Sequence, residues 1–171
     1  MHYLYPIEQI ARSVTTRFQM GFARMTMHLM PEIEDVCLEP SNRGLKILGA
    51  DETALAKPGE IIRQIYADRV AFDRPRVRLV RDSAVCEPVM WVRAAVPNAH
   101  TESAVQDLVA RDASIEEVDW LRHSPVVRAR APLRKLLGYP AALARLTGGT
   151  AELRMWLSHY APVKPEGGDA A

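Results

Sequence analysis

The stretch from Pro132 to Pro162 places the tightest limit on how this chain can fold. Its first part carries leucines at roughly helical intervals: Leu133, Leu136, Leu137, Leu143 and Leu146. Gly148-Gly149 then permits the positive φ angles at which helices end. Beyond the glycines, apolar and more polar residues alternate with the period of a half-buried strand: Ala151, Leu153, Met155 and Leu157 against Glu152, Arg154, Trp156 and Ser158. A helix followed directly by such a strand indicates a compact α+β unit.

The rest of the C-terminal half supplies the other elements of that unit. A first strand is indicated by the alternating residues Met90, Val92, Ala94 and Val96. A helix is indicated by the apolar set Ala104, Val105, Leu108 and Val109, with Thr101 as its predicted N-cap. Residues 115–123 and 126–131 predict a hairpin closed at Ser124-Pro125. Because Pro140 falls inside the last helical segment, we expect a kink or restart at Gly138-Tyr139-Pro140.

The N-terminal half predicts the same order of elements. Met1–Tyr5 is compatible with a strand, Pro6 opens a predicted helix that ends at Gly21, and the alternation over Phe22–Met30 predicts a strand. A turn cluster at Ser41–Gly44 separates the acidic segment 32–40 from a strand over Leu45–Leu48. Pro58 opens a second predicted helix, and Arg76–Leu79 form the last strand.

Strand, helix, strand, strand, helix, strand is the order of the split βαβ, or ferredoxin-like, fold. The sequence therefore predicts an α+β protein of two tandem ferredoxin-like domains with antiparallel sheets. We expect the domains to cover residues 1–83 and 84–163, followed by a disordered, Gly-rich polar tail over 164–171.

Composition narrows the class of protein further. The 171 residues carry a net charge of +1 with 25% charged residues, so that any basic surface must be local. Cys37 and Cys86 lack metal-ligand spacing, no signal-peptide pattern precedes them, and no stretch approaches the ~20 apolar residues of a membrane span. We expect a soluble cytoplasmic protein with two free thiols and no membrane association.

Residues typical of catalytic or metal sites are scattered in the sequence. His2, His28, His100, His123 and His159 form no H-x-x-x-H pair, and the two cysteines form no C-x-x-C pair. Glu116, Glu117 and Asp119 are typical of a solvated strand edge rather than of a general acid and base. We therefore expect no catalytic residues, no bound metal and no cofactor.

The alternation in the C-terminal half predicts a candidate binding surface instead. In a ferredoxin-like sheet the helices cover one face and leave the other open. If Met90, Val92, Leu153 and Met155 point to the helices, the open face carries Trp91, Arg93, Arg154 and Trp156, joined by Arg128 and Arg130. Aromatic and Arg side chains on an open sheet are what single-stranded RNA modules use, because bases stack on rings and guanidinium planes. The alternative is that this face packs on the first domain or on a second subunit.

Spaced motifs in the C-terminal half resemble a known family. In order they are Glu87-Pro88-Val89-Met90, Val96-Pro97, Pro132-Leu133, Leu137-Gly138-Tyr139, Leu143, Thr147 with Gly148 or Gly149, and His159-Tyr160-Ala161-Pro162. They resemble domain V, the last conserved domain of elongation factor G and of its relatives BipA, LepA and the tetracycline ribosomal protection proteins. The resemblance runs from Cys86 to Val163.

A second resemblance lies in the N-terminal half. Residues 45–52 and Pro75-Arg76-Val77 are similar to the third-strand region and the Pro-x-Val strand of the ferredoxin-like domain III, which joins domain V directly in BipA and LepA. Asp51 departs from the family pattern, where a Gly stands, and Pro58-Gly59 interrupts the expected early helix. A match of the segment from Phe22 to Pro31 to a shortened domain IV is an alternative.

The resemblance implies a role in recognition. Translational GTPases hydrolyse GTP in an N-terminal domain with a G-x-x-x-x-G-K-[ST] loop, and this sequence contains no such motif, so we expect a region without the GTPase domain. In the family, domain V approaches the ribosome, and the matching positions here are Arg111, Gly138, Tyr139 and Arg145. Asp112 stands where the family usually has Gly after that arginine, and a carboxylate there would weaken contact with phosphate.

Two functions follow from these observations. The first is a non-enzymatic, translation-factor-like protein that binds the ribosome, through rRNA or ribosomal proteins, or a translation GTPase. The second is a tandem ferredoxin-like module redeployed to bind a small ligand or another protein, built as a homodimer. An enzyme with its active site between sheet and helices is a third class, which the sequence does not favour because no acid, base and nucleophile converge.

Overall fold

The computed structural model describes residues 4–120 and 123–164, and these form two compact units. One unit consists of the residues up to Arg78 together with Leu137–Ala142, and the other of Leu79–Leu136 and the residues from Leu143 onward. His2 and all but the first residue of the predicted tail lie outside the described residues. None of the helices in the described part of the chain combines the length and the apolarity that a membrane span requires.

The first unit is a ferredoxin-like sheet with its helices. Its elements are β1 (Ile7–Ser13), α1 (Gln19–Leu29), β2 (Val36–Ser41), β3 (Gly44–Gly49), α2 (Ala56–Tyr66), β4 (Val70–Phe72) and β5 (Arg76–Val77). The antiparallel sheet has the order β2-β3-β1-β4, with β5 paired to β1. This is the predicted fold, because the second βαβ half inserts its strands beside those of the first.

The second unit repeats the arrangement. Its elements are β6 (Val80–Arg81), β7 (Val85–Ala95), α3 (Asn98–Ala110), β8 (Ser114–Asp119), β9 (Val126–Pro132), α4 (Leu133–Leu136), α5 (Tyr139–Thr147) and β10 (Glu152–Pro162). The antiparallel strand order is β10-β7-β9-β8, with β6 paired to β7. The predicted class, two tandem ferredoxin-like folds with antiparallel sheets, is confirmed.

Several segments of the first unit were predicted wrongly from the sequence. No strand was predicted over β2, and Leu4 and Tyr5, which were placed in a predicted strand, precede β1. The segment after Pro6 is strand β1 and not a helix, and residues 19–29 are helix α1 where a strand was predicted over Phe22–Met30. Strand β1 is paired on both sides, as is β3, and it buries Ile7, Ile10 and Ala11. Because Ile10 lies on the strand face opposite Ile7 and Ala11 and all three are buried, the apolar spacing of β1 imitated a helical stripe. In α1 the buried set is Phe22, Ala23 and Thr26, a helical spacing that the alternating methionines obscured.

The helix after Val96 begins earlier than predicted. Helix α3 starts at Asn98, after Pro97, so Thr101 is not its N-cap. Thr101 lies within the first turn and is fully buried, and its Oγ1 donates to the carbonyl of Pro97 at 3.1 Å. A buried hydroxyl is stable there because the helix backbone provides its acceptor.

The stretch from Pro132 to Pro162 forms the predicted succession of helix, turn and strand. The helical part is divided into α4 and α5, and Gly138 between them has a φ of 76°, as expected for a restart at Gly138-Tyr139-Pro140. Gly148 and Gly149, with φ of 62° and 79°, end α5 and lead into β10.

Gly44 offers a sharp test of the first sheet. It starts β3 with a φ of 129°, and a Cβ at this position would lie 2.3 Å from the carbonyl oxygen of Ala11 on β1. Gly44→Ala should lower the free energy of unfolding by at least about 2 kcal/mol, since both the φ angle and the contact are unfavourable. Urea denaturation measures this change.

Gly59→Ala is the matched control within the same unit. Gly59 lies inside α2, and an added Cβ there would lie 3.4 Å from Arg63 Nη1, the end of a flexible side chain. The substitution should be neutral or stabilising by up to about 1 kcal/mol, because Ala favours helix. Equal losses from the two substitutions would contradict the described hairpin geometry.

Candidate functional site

The sheet of the second unit separates apolar from polar side chains along β7. Met90, Val92 and Ala94 are fully buried, whereas Trp91 and Arg93 are partly exposed. On β10, Met155 is 8% exposed and its neighbour Trp156 is 46% exposed. The predicted facing of both strands is therefore confirmed, and the tryptophans lie on the face opposite the buried residues.

The strand register arranges this open face in two rows that run across the strands. Arg154 on β10 pairs with Arg93 on β7, which pairs with Arg128 on β9; we call these three residues the arginine row. One step along the strands, Trp156 pairs with Trp91, which pairs with Arg130; we call these three the tryptophan row. Directly opposed residues in antiparallel strands have Cβ atoms about 4.5–5.5 Å apart, so each row is a line of contacting side chains.

The tryptophan row is a layered set of flat groups. The rings of Trp91 and Trp156 have centroids 6.5 Å apart and planes inclined by 24°. The guanidinium carbon of Arg130 lies 4.9 Å from the centroid of Trp91. Arg130 also donates from Nε and Nη2 to Glu116 Oε1 at 2.8 and 2.6 Å. Trp91 is thus held between two neighbours, whereas Trp156 at the end of the set presents an exposed ring.

The arginine row has less counter-charge than its three guanidinium groups require. Arg128 is ion-paired with Glu117 on β8. For Arg93 and Arg154 the described residues provide no side-chain ion pair or hydrogen bond. Like charges directly opposite one another destabilise a sheet unless an anion lies nearby. The row is therefore suited to an anionic partner.

A groove of about 840 Å³ continues from the tryptophan row at one end of the sheet. It lies where β10 has a bulge between Leu157 and His159. Its lining includes Glu87, Val89, Arg130, Arg134, Lys135 and His159. Glu87 is 3% exposed and accepts from Arg134 Nε at 2.7 Å, and Lys135 Nζ lies 3.1 Å from Asp112 Oδ2. In both pairs the opposite charges neutralise each other.

Among the residues described, no group of three or more His, Cys, Asp or Glu side chains is placed to hold a metal ion.

The other four predicted site residues do not lie on the open face, because they come from helices or helix ends. Arg111 follows α3, donates from Nε to Asp107 Oδ1 at 3.2 Å and from Nη1 to the carbonyl of Lys135 at 3.0 Å. Tyr139 is fully buried, Gly138 is exposed, and Arg145 is exposed on α5. The hydrogen bonds of Arg111 stabilise the end of α3. Of the four residues, only Arg145 therefore presents a charged and exposed side chain.

The structure gives a reason for the departure from the family pattern at Asp112. Its φ is 59°, in the left-handed region where Gly is the usual residue, and its carboxylate pairs with Lys135. Asp tolerates this region better than most residues do. Asp112 therefore adopts a backbone conformation for which Gly is the usual residue.

Glu116 and Glu117 are part of the site although the sequence indicated only a solvated strand edge. A bulge in β8 between Ile115 and Glu117 lets both carboxylates pair with arginines of β9. The alternating arginines of β9 could have indicated that acidic residues pair with them. The bulge that brings both carboxylates to one strand face, however, has no sequence signature. The groove was missed for the same reason, since it lies beside the bulge of β10.

The buried carboxylate of the groove generates a stability test. Glu87→Gln should lower the free energy of unfolding by about 1–3 kcal/mol, because Arg134 loses a charged acceptor at a buried position. Glu117→Gln is the matched control, because Glu117 is 57% exposed and an ion pair at that exposure contributes less than about 1 kcal/mol. Denaturant unfolding compares the two variants. Equal effects would mean that Glu87 is not held as described.

Comparison with known protein families gives a match in the second half of the chain. The family model described as elongation factor G C-terminus matches residues 84–170, about half of the 171 residues. The matched segment contains β7 to β10 and therefore all residues of both rows.

Comparison with individual proteins gives matches over the same half. The chain is 34% identical over 79 residues to elongation factor G of Gluconobacter oxydans (strain 621H), a match that covers 46% of this chain and 11% of that protein. It is 36% identical over 77 residues to elongation factor G of Fervidobacterium nodosum, covering 45% and 11%. It is 29% identical over 85 residues to mitochondrial ribosome-releasing factor 2 of Bos taurus, covering 50% and 11%. The match thus spans about a tenth of the length of these relatives.

Comparison with solved structures extends over nearly the whole chain. The crystal structure of ttk003000868 from Thermus thermophilus superposes with a TM-score of 0.67 at 16% sequence identity. The superposition covers 94% of this chain and 41% of that one. At this identity the likeness shows the fold of the chain.

Proposed function

Because the matched family model covers half of the chain, this chain belongs to the elongation factor G C-terminus family, and from that premise we propose that it is a non-enzymatic, translation-factor-like protein that binds the ribosome or a translation-associated partner. The sequence resemblance to domain V is confirmed by the family match and by the elongation factor G relatives. The proposal places the protein in the cytoplasm, where translation takes place.

One observation carries the proposal. The matched half bears a sheet face on which Arg154, Arg93 and Arg128 are direct neighbours and the described residues pair only Arg128 with a carboxylate. Ribosomes present a dense surface of phosphates, and arginine binds phosphate with planar, charge-assisted hydrogen bonds. A surface of this kind supports binding to ribosomal RNA more directly than binding to an uncharged ligand.

Arg145 is the second contact that we propose. It is exposed on α5, at a position that the sequence resemblance assigns to the part of domain V that approaches the ribosome, whereas Arg111 is engaged with Asp107 and Lys135. Arg111 therefore supports the shape of this region, and its replacement would disturb the end of α3 as well as any contact. Arg145 is the better position at which to test ribosome binding.

Co-sedimentation with ribosomes tests the proposed function. The chain should pellet with ribosomes at about 50 mM salt and should be largely released at about 200 mM, since phosphate contacts weaken steeply with salt. Arg145→Glu and Arg154→Glu should each reduce the pelleted fraction at low salt. The measurement is the protein content of supernatant and pellet after centrifugation through a sucrose cushion.

Arg24→Glu is the matched control, because Arg24 is an exposed helical arginine in the other unit. It should pellet like the unmodified chain. Protein that remains wholly in the supernatant at low salt would end the proposal. If, in that case, the chain elutes as a dimer in size-exclusion chromatography and Trp91 and Trp156 are shielded from a soluble quencher, the redeployed binding module is favoured instead.

A further inference from the structure

We propose that the open face of the second sheet is a binding site for single-stranded RNA, in which a base stacks on Trp156 and the phosphates lie along the arginine row. The inference rests on the proposed function, because ribosomes expose single-stranded RNA. It specifies which chemical groups of the RNA the protein recognises. It also applies to RNA free of the ribosome, so that it can be tested separately.

The arginine row determines the charge of the occupant. Three guanidinium groups lie on adjacent strands, and Glu117 pairs with one of them. Since neighbouring strands are about 4.8 Å apart, the row extends over about 10 Å. Phosphates of a stacked strand are about 3.4 Å apart along its axis and farther apart in an extended strand, so the row accommodates two or three consecutive phosphates.

The tryptophan row distinguishes nucleic acid from an acidic protein. Trp156 is 46% exposed although it is a large aromatic side chain, and its ring lies nearly parallel to Trp91. A nucleobase has a flat face that can extend this set of stacked groups, whereas a run of Asp and Glu side chains would leave the indole in water. A base next to a row of phosphates is the combination that fits both rows at once.

The position of the two rows also excludes an intact duplex as the preferred ligand. In a double helix the base faces are stacked on one another and only their edges reach the grooves. Trp156 lies directly beside Arg154 on the same strand face, with one residue between them. A bound strand must therefore turn a base toward the sheet while its own phosphates contact the arginines, which requires unpaired RNA.

The acidic residues of β8 set a limit on affinity. Glu117 pairs with Arg128, and Glu116 pairs with Arg130 at 2.6 Å, and all four side chains are between 31% and 57% exposed. Exposed pairs of this kind are weak, so phosphate competes with them for the same guanidinium groups. Removing one carboxylate should strengthen binding of RNA.

Fluorescence anisotropy with the full chain tests the proposal. The probe is a labelled oligouridylate of about 12 nucleotides, long enough to cover a site of a few nucleotides. The logarithm of the association constant should fall with the logarithm of salt concentration with a slope of about −2, as expected for three phosphate contacts on a single strand. Arg154→Glu should weaken binding and reduce the slope by about one.

Three variants separate stacking from charge. Trp156→Ala should weaken binding on the order of 10-fold to 100-fold, the range for loss of one base–aromatic stack. Trp120→Ala should leave it unchanged, because Trp120 is a 55% exposed tryptophan outside both rows. Glu117→Gln should strengthen binding by a factor of about two to five, which a purely structural role of Glu117 would not produce.

The proposal is overturned if Trp156→Ala binds as tightly as the unmodified chain. It is also overturned if a duplex RNA of the same length or a polyglutamate peptide binds as well as the oligouridylate does. If oligouridylate fails to bind while the chain still pellets with ribosomes, this inference fails and the proposed function stands. If oligouridylate binds and the chain does not pellet, the proposed function fails and the RNA site stands.

Discussion

The antiparallel ladder between β7 and β10 is the constraint on which the rest of the second unit depends. It runs from Glu152 opposite Ala95 to Pro162 opposite Cys86. Because side chains alternate between faces, one register places Met90, Val92 and Met155 in the core and, in the same step, Trp91 and Trp156 on the opposite face. A slip by one residue would expose the apolar set and bury the arginines. The energy of the core therefore fixes the positions of the groups that we propose to bind RNA.

The composition of the open face has a physical cost. Opposed guanidinium groups repel each other, and a partly exposed tryptophan keeps apolar area in water. The fold reduces this cost by layering Arg130 on Trp91 and by pairing Glu116 and Glu117 with arginines of β9. The cost that remains comes from the exposed ring of Trp156 and from the guanidinium groups of Arg93 and Arg154. An anionic ligand with flat rings would relieve it, so the features least favourable to the isolated unit are those that favour binding.

How far the sequence predicts the structure differs between the two units. In the second unit β7 and β10 bury one face, so a strict alternation revealed both strands and their facing. In the first unit β1 buries Ile10 on one face and Ile7 and Ala11 on the other, and this helical spacing led to a predicted helix where a strand lies. The order of element types was nevertheless right, because β2, which was not predicted, takes the place in the order of the strand predicted over Phe22–Met30. The ion pairs of β8 and the groove depend on bulges, which alter register without a clear sequence signal.

Hydroxyl-radical footprinting of the tryptophans tests the central claim most directly. The chain contains three tryptophans, and Trp120 and Trp156 are similarly exposed, at 55% and 46%. Oxidation of each indole is measured by mass spectrometry with and without ribosomes. If the open face is the contact surface, oxidation of Trp156 falls when ribosomes are added, while oxidation of Trp120 does not change. A fall at Trp120 with Trp156 unprotected would show that the contact surface lies elsewhere on the protein.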